Sequence, residues 1–234
     1  MNHWAAHQMP SNWHPKNITL SWAGTDNAKT LAGRPVEEAI DWHRAYIQYA
    51  YNQQGFRCPD LNNFIDQPVD VALGCSFTKG VGMPVEAVWP SLVQRNRPYP
   101  MLNLGLGGGT TDTVARILTN ISTLFKIQTA FILWPHANRF ETYTDSYVDR
   151  ILPYNAQTEH VWFMDGANAD QRYQKNHNIA HTLSKLNQFN IVELTVNEVY
   201  QKGFAVDTAR DGLHLGYRSN QLLAKWYLDT LTSK

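Results

Sequence analysis

The sequence predicts an α/β protein: a three-layer α/β/α sandwich with a mostly parallel central sheet, preceded by an irregular N-terminal extension. Two observations carry this. From Val69 onward, short apolar runs alternate with helical stretches of ten residues or more, the pattern of parallel strands joined by crossover helices. The first three runs also stop at Gly74, Gly105 and Pro135, residues that punctuate strand ends.

Taken in order, residues 1–68 are polar and turn-rich and carry Trp4, Trp13, Trp22 and Trp42, half of the chain's 8 tryptophans. Within them the sequence predicts one helix over 35–51. Proline stands at its first turn, Glu37 and Glu38 lie near its positive end, and Ile40, Ala45, Ile47 and Ala50 are candidate core contacts. The division that follows is an extension, 1–68, packed on a domain, 69–234. Within the domain, strands are expected over 69–73, 99–104, 129–134, 160–164 and 191–194. Helices are expected over 110–125, where Val114, Ile117, Leu118, Ile121 and Leu124 recur at three- and four-residue spacing, over 170–189, and over 219–231.

Composition narrows the function. A chain of 234 residues suits one domain with an elaboration, at about 150 residues per domain. Twenty basic residues balance 20 acidic ones, which disfavours nucleic acid or an anionic membrane as partner. Apolar residues at 43% can fill a sizeable core, yet no run reaches the roughly 18 to 20 residues of a membrane span and no signal-like leader opens the chain. The expectation is a cytoplasmic protein. Two cysteines, Cys58 and Cys75, are too few for a disulfide framework and fit a reducing compartment.

Chemistry concentrates at the predicted carboxyl ends of the strands, where sites of parallel sheets lie. The segment Gly74-Cys75-Ser76-Phe77-Thr78-Lys79-Gly80 puts the Ser76 hydroxyl on a tight turn after the first domain strand. A serine needs a base within hydrogen-bond reach and donors for the oxyanion formed on attack. Asp211-Gly212-Leu213-His214 can fold a carboxylate back onto an imidazole, leaving the other ring nitrogen for the serine. The glycine-rich stretch from Asn103 to Asp112 offers backbone amides with little side-chain obstruction.

Together these segments resemble the blocks of the SGNH (GDSL-type) hydrolases over roughly the last 165 residues. The resemblance implies a flavodoxin-like sandwich and a serine hydrolase that cleaves an ester, with a short acyl group such as acetyl on a polar or carbohydrate alcohol as the expected substrate. It implies Ser76 as nucleophile, His214 as base and Asp211 as its orienting acid. The backbone amides of Ser76 and Gly108 become oxyanion donors, and neither metal nor organic cofactor is called for. The third block departs from the family's Gly-x-Asn-Asp: this chain has Trp134-Pro135-His136-Ala137-Asn138. Counting from the strand selects His136 for the third donor, whereas residue type selects Asn138. Asn138 is preferred because an amide donates in every protonation state. A non-catalytic binding protein on the same core and an acyltransferase using the same triad are the rival readings.

Other signals weigh less. The glycine stretch reaches Thr110 where a dinucleotide fingerprint wants a third small residue, and no Gly-Lys-Ser/Thr follows. His177 and His181 have metal-ligand spacing on a predicted helix, but no third ligand is evident in the sequence, and solvated histidines are expected. Cys75 rivals Ser76 as nucleophile, although neighbouring residues at a strand end point to opposite sides. Lys79, Arg139 and Glu141 are placed to meet a polar or anionic substrate group. The extension's tryptophans either stack on a sugar or pin the segment to the core.

Overall fold

The computed structural model describes residues 15–35, 42, 44–143, 148–153 and 156–233. At its centre is a sheet of four parallel strands, β3 (Pro68–Gly74), β4 (Met101–Asn103), β5 (Lys126–Trp134) and β8 (Asn190–Thr195), in the spatial order β4-β3-β5-β8. These strands read as apolar runs because helices cover both faces. One face carries Val69, Val71, Leu73, Ile132 and Trp134 and packs on Thr111–Ile121 and Gly166–Asn187. The other carries Ala72, Phe131, Leu133 and Leu194 and packs on Trp89–Gln94, Val196–Gln201 and Tyr217–Thr232. The three layers follow.

Helix Thr111–Ile121 begins where the apolar periodicity begins, and a capping box between Thr110 and Thr113 satisfies its first amides. The register Gly74↔Leu133 and Leu133↔Leu194 brings the loops after β3 and β5 to the same sheet edge. Between β5 and the long helix, Phe140–Tyr143 (β6) and Val148–Ile151 (β7) form an antiparallel hairpin that the sequence reading missed.

Two expectations change. Residues 160–164 form no strand: Thr158–His160 is a 3-10 turn and Val161–Met164 one helical turn. Val161 and Trp162 are 63% and 64% exposed, so the run has no sheet to enter, and an apolar run of four, Val161 to Met164, does not distinguish strand from helix by itself. The helix expected over 35–51 fails in its second half. Tyr49–Tyr51 (β2) pairs antiparallel with Ile18–Leu20 (β1), and the alternating burial of β2 has the strand period of two. Trp42 and Arg44 are helical, while 36–41 and 43 lie outside the described residues.

The segment before β3 has its own small core, in which Leu31, Trp42, Ile47, Tyr49 and Tyr51 meet Met83, Val88 and Ala209. Trp42 stacks on Tyr217 with ring centroids 5.2 Å apart, and the Arg210 guanidinium lies over Trp22. Both tryptophans therefore attach this segment to the C-terminal part of the chain; Trp4 and Trp13 fall outside the described residues. Among the described residues, no helix is long and apolar enough to cross a membrane.

Candidate active site

Strand β3 ends at Gly74, and after Cys75 the chain turns into the four-residue helix Ser76–Lys79. This turn aims the two neighbours apart. Cys75 is fully buried among Phe131, Leu133 and Leu194, whereas the Ser76 hydroxyl faces the loop before the C-terminal helix. There His214 Nε2 lies 2.7 Å from Ser76 Oγ, and His214 Nδ1 lies 2.6 Å from Asp211 Oδ2. An ionised carboxylate only accepts, so Nδ1 carries the proton and Nε2 offers its lone pair to the serine O–H.

The Asp-Gly-Leu-His turn holds this geometry by its own backbone. The N–H groups of Leu213 and His214 both donate to Asp211 Oδ1 at 3.1 Å. Phe77, next to Ser76, packs its ring 5.0 Å from the His214 ring. Burial pushes the Asp211 carboxyl pKa up, but the hydrogen bond and charge of His214, the Thr25 hydroxyl and the backbone bond outweigh it and hold the group down at about 2. Asp211 is therefore anionic wherever His214 needs an ionised partner.

Close backbone approach brings the loops together. A Cβ at Gly82 would sit 2.8 Å from the Ala209 Cβ. With only hydrogen there, the Gly82 carbonyl accepts the Arg210 N–H at 3.0 Å and seats the Asp211 turn against the loop that follows Ser76–Lys79. A Cβ at Gly105 would lie 2.4 Å from the Lys79 nitrogen. Its absence lets the glycine loop cross the helix Ser76–Lys79, where Asn103 ties the two by donating to the Thr78 carbonyl at 2.9 Å.

Among the described residues the chain supplies no acceptor for the Gly108 N–H, whereas the Gly109 N–H is spent on the Leu106 carbonyl at 2.9 Å. Gly108 adopts a positive φ of 68°. The third-block candidates separate by burial: His136 is half-buried beside Asn197, and Asn138 stands exposed at the tip of the turn. Neither hydrogen-bonds to Ser76.

Of the three charged residues expected to meet substrate, Glu141 is corrected. It is buried in an ion pair with Arg116 at 2.7 Å and accepts the Thr113 hydroxyl, so it braces the hairpin against Thr111–Ile121. Lys79 is buried over the Tyr51 ring and beside Gly107. Its ammonium pKa is brought down to about 7 by burial first, then by Arg57 and Arg150. Arg139 is half-buried beside His136.

Sequence reasoning missed Thr25. Its hydroxyl donates to Asp211 Oδ2 at 2.6 Å, and next to it the buried Asp26 pairs with Arg210 at 2.6 Å while accepting the Tyr49 O–H. Arg34 also donates to the Ala209 carbonyl. No local pattern marks these residues, because their partners in the segment 209–211 lie 175 to 186 positions away.

No protein-family model and no curated protein matches the chain. Solved structures do match across 70% of it. One is a lipolytic protein of the G-D-S-L family from Veillonella parvula DSM 2008, 14% identical, 98% covered, TM-score 0.37. A carbohydrate acetylesterase family member from Sinorhizobium meliloti is 14% identical, 97% covered, TM-score 0.36. A lipase/acylhydrolase from Enterococcus faecalis is 18% identical, 96% covered, TM-score 0.39. The likeness is one of fold, the parallel α/β/α layers of this chain being similar to those of the G-D-S-L lipolytic protein, the acetylesterase family member and the lipase/acylhydrolase.

Proposed function

We propose that this protein is a serine hydrolase that cleaves esters. The observation that carries the reading is the hydrogen-bonded line from Ser76 Oγ through His214 to Asp211, at 2.7 and 2.6 Å. His214 Nε2 removes the hydroxyl proton as Ser76 attacks the ester carbonyl. Asp211 stabilises the imidazolium so formed, and the imidazolium then protonates the departing alcohol. Water hydrolyses the acyl-serine by the same steps. The amides of Ser76 and Gly108 receive the oxyanion, and the turn bearing His136 and Asn138 supplies a third donor.

The substrate proposed is a small ester, a short acyl group such as acetyl on a polar or carbohydrate alcohol. The polar surroundings of the triad and the buried cation Lys79 beside the glycine loop favour a polar substrate over a long acyl chain. Residues 1–68 serve as an extension packed on the 69–234 domain, bracing the acid end of the triad through Thr25.

A fluorophosphonate probe with a panel of short-chain p-nitrophenyl esters tests the reading. Labelling is expected on Ser76 and its loss in His214→Ala, with turnover falling at least roughly 10⁴-fold in Ser76→Ala. Undiminished hydrolysis by folded Ser76→Ala would overturn it.

A further inference from the structure

His177 and His181 lie four residues apart, on one face of helix Gly166–Asn187, and that face meets the sheet's edge strand β8. The strand supplies the third side chain that spacing along the sequence did not reveal. His177 Nε2 lies 2.9 Å and His181 Nε2 2.8 Å from the same oxygen, Glu193 Oε1. The two imidazoles face one another with centroids 4.3 Å apart. The other carboxylate oxygen, Oε2, accepts the indole N–H of Trp134 at 2.8 Å. The histidines are thus not simply solvated, as expected from sequence, but converge on a carboxylate whose plane is already fixed.

The geometry points to a divalent transition-metal site of the Zn²⁺ class at His177, His181 and Glu193, joining the long helix to the edge strand. Two neutral imidazoles and one carboxylate are a donor set for borderline ions, whereas Mg²⁺ and Ca²⁺ favour oxygen alone. The three ligand atoms lie within 4.8 Å of one another. A tetrahedral ion with bonds of about 2.0–2.2 Å holds its ligands roughly 3.3–3.6 Å apart, so it enters by opening the two N···O contacts by about half an ångström. On entry each Nε2 presents its lone pair and its proton moves to Nδ1, leaving the imidazoles neutral.

The Trp134 bond acts as the outer-shell contact that aims a ligating carboxylate, keeping Oε1 turned toward the histidines. The three side chains are 29%, 39% and 24% exposed, enough for a hydrated ion to arrive and for water to keep the fourth position. Neither histidine nor Glu193 hydrogen-bonds to Ser76, Asp211 or His214. The ion therefore acts on the fold, clamping the edge strand to the helix, and owes nothing to the esterase reading.

Untagged full-length protein, stripped with chelator and dialysed, is titrated with ZnCl₂ by calorimetry, with MgCl₂ as control. CoCl₂ is added separately to read the visible bands of tetrahedral cobalt. The expected result is one Zn²⁺ per chain, an upward shift in thermal midpoint, and intense cobalt bands. His181→Ala and Glu193→Gln should each weaken Zn²⁺ affinity at least about tenfold, the scale on which even outer-shell changes act. Both should keep the circular dichroism of the parent, since His181 is the most exposed of the three and glutamine retains an acceptor for Trp134. Absence of Zn²⁺ binding by the folded parent would overturn the proposal, as would undiminished binding in both variants, which would locate the ion elsewhere.

Discussion

The central sheet and the segment before it are held by different forces, and the candidate site draws on both. Strands β3, β5 and β8 are secured by apolar burial on two faces, with Val71, Leu73, Phe131 and Ile132 fully enclosed. The described residues of 15–64 bury fewer apolar side chains and depend on polar bonds to later parts of the chain: Asp26 to Arg210, Thr25 to Asp211, and Arg57 to the carbonyls of Gly80 and Met83. Apolar burial is tolerant of direction, whereas hydrogen bonds and ion pairs fix one geometry. The sheet brings the loops together, and Thr25, before β3, hydrogen-bonds the Asp211 carboxylate that faces His214.

The sharpest way to break that division is Asp26→Ala. It strips the buried Arg210 of its counter-ion and the Tyr49 hydroxyl of its acceptor, and losing one partner of a buried pair costs about 3–5 kcal/mol. Calorimetric unfolding should show a fall in thermal midpoint of roughly 6 to 20 °C, at about 2–4 °C per kcal/mol for a chain of this size. A fall no greater than that of an exposed control such as Lys225→Ala would show the extension to be dispensable to the fold.

Thr25→Val keeps the shape and removes one charge-assisted bond to Asp211. Such bonds contribute about 1.5–3 kcal/mol, so kcat for a p-nitrophenyl ester should fall roughly tenfold or more with KM little changed. The same variant should unfold at higher pH on acidification. Asp211 sits below its unfolded value, so its contribution is fully present above about pH 4 and is lost as pH falls toward its folded value of about 2. Without Thr25 the folded value rises and the window narrows. An unchanged kcat would remove Thr25 from the positioning of the triad.

The sheet half of the comparison was legible in the sequence, and the extension was not, for a physical reason. Strand residues 69–73 and 191–194 and helix residues 111–121 carry local periodicity, and Ser76, Asp211 and His214 stand in short blocks whose spacing implies a turn. Thr25, Asp26 and Glu193 acquire meaning only from partners brought near by folding. A lone polar residue in a turn-rich segment is indistinguishable from solvated surface until its partner is known. The failed helix over 45–51 has the same origin: β2 takes its conformation from pairing with β1 and from the buried Tyr49, a tertiary preference that overrides a weak local one.

Lys79 offers the smallest effect and the finest distinction between the two regions, because it belongs to the helix Ser76–Lys79 yet packs on Tyr51 of β2. No carboxylate forms an ion pair with it among the described residues. Burial, Arg57 and Arg150 hold its pKa at about 7, well below that of an exposed lysine, so the unfolded chain binds this proton more tightly than the folded one. Stability should therefore rise with pH between about 7 and 10.4, where the folded lysine has lost a proton that the unfolded one still binds. Lys79→Met, which keeps the volume and removes the cation, should raise the thermal midpoint at pH 7 by about 2–4 °C and flatten that part of the pH profile. If the substrate carries negative charge, the same variant should raise KM for it while sparing a neutral ester. A lowered midpoint at pH 7 would mean that the ammonium is stabilised where it lies, and that the extension's aromatic face, not the loop's chemistry, explains the lysine.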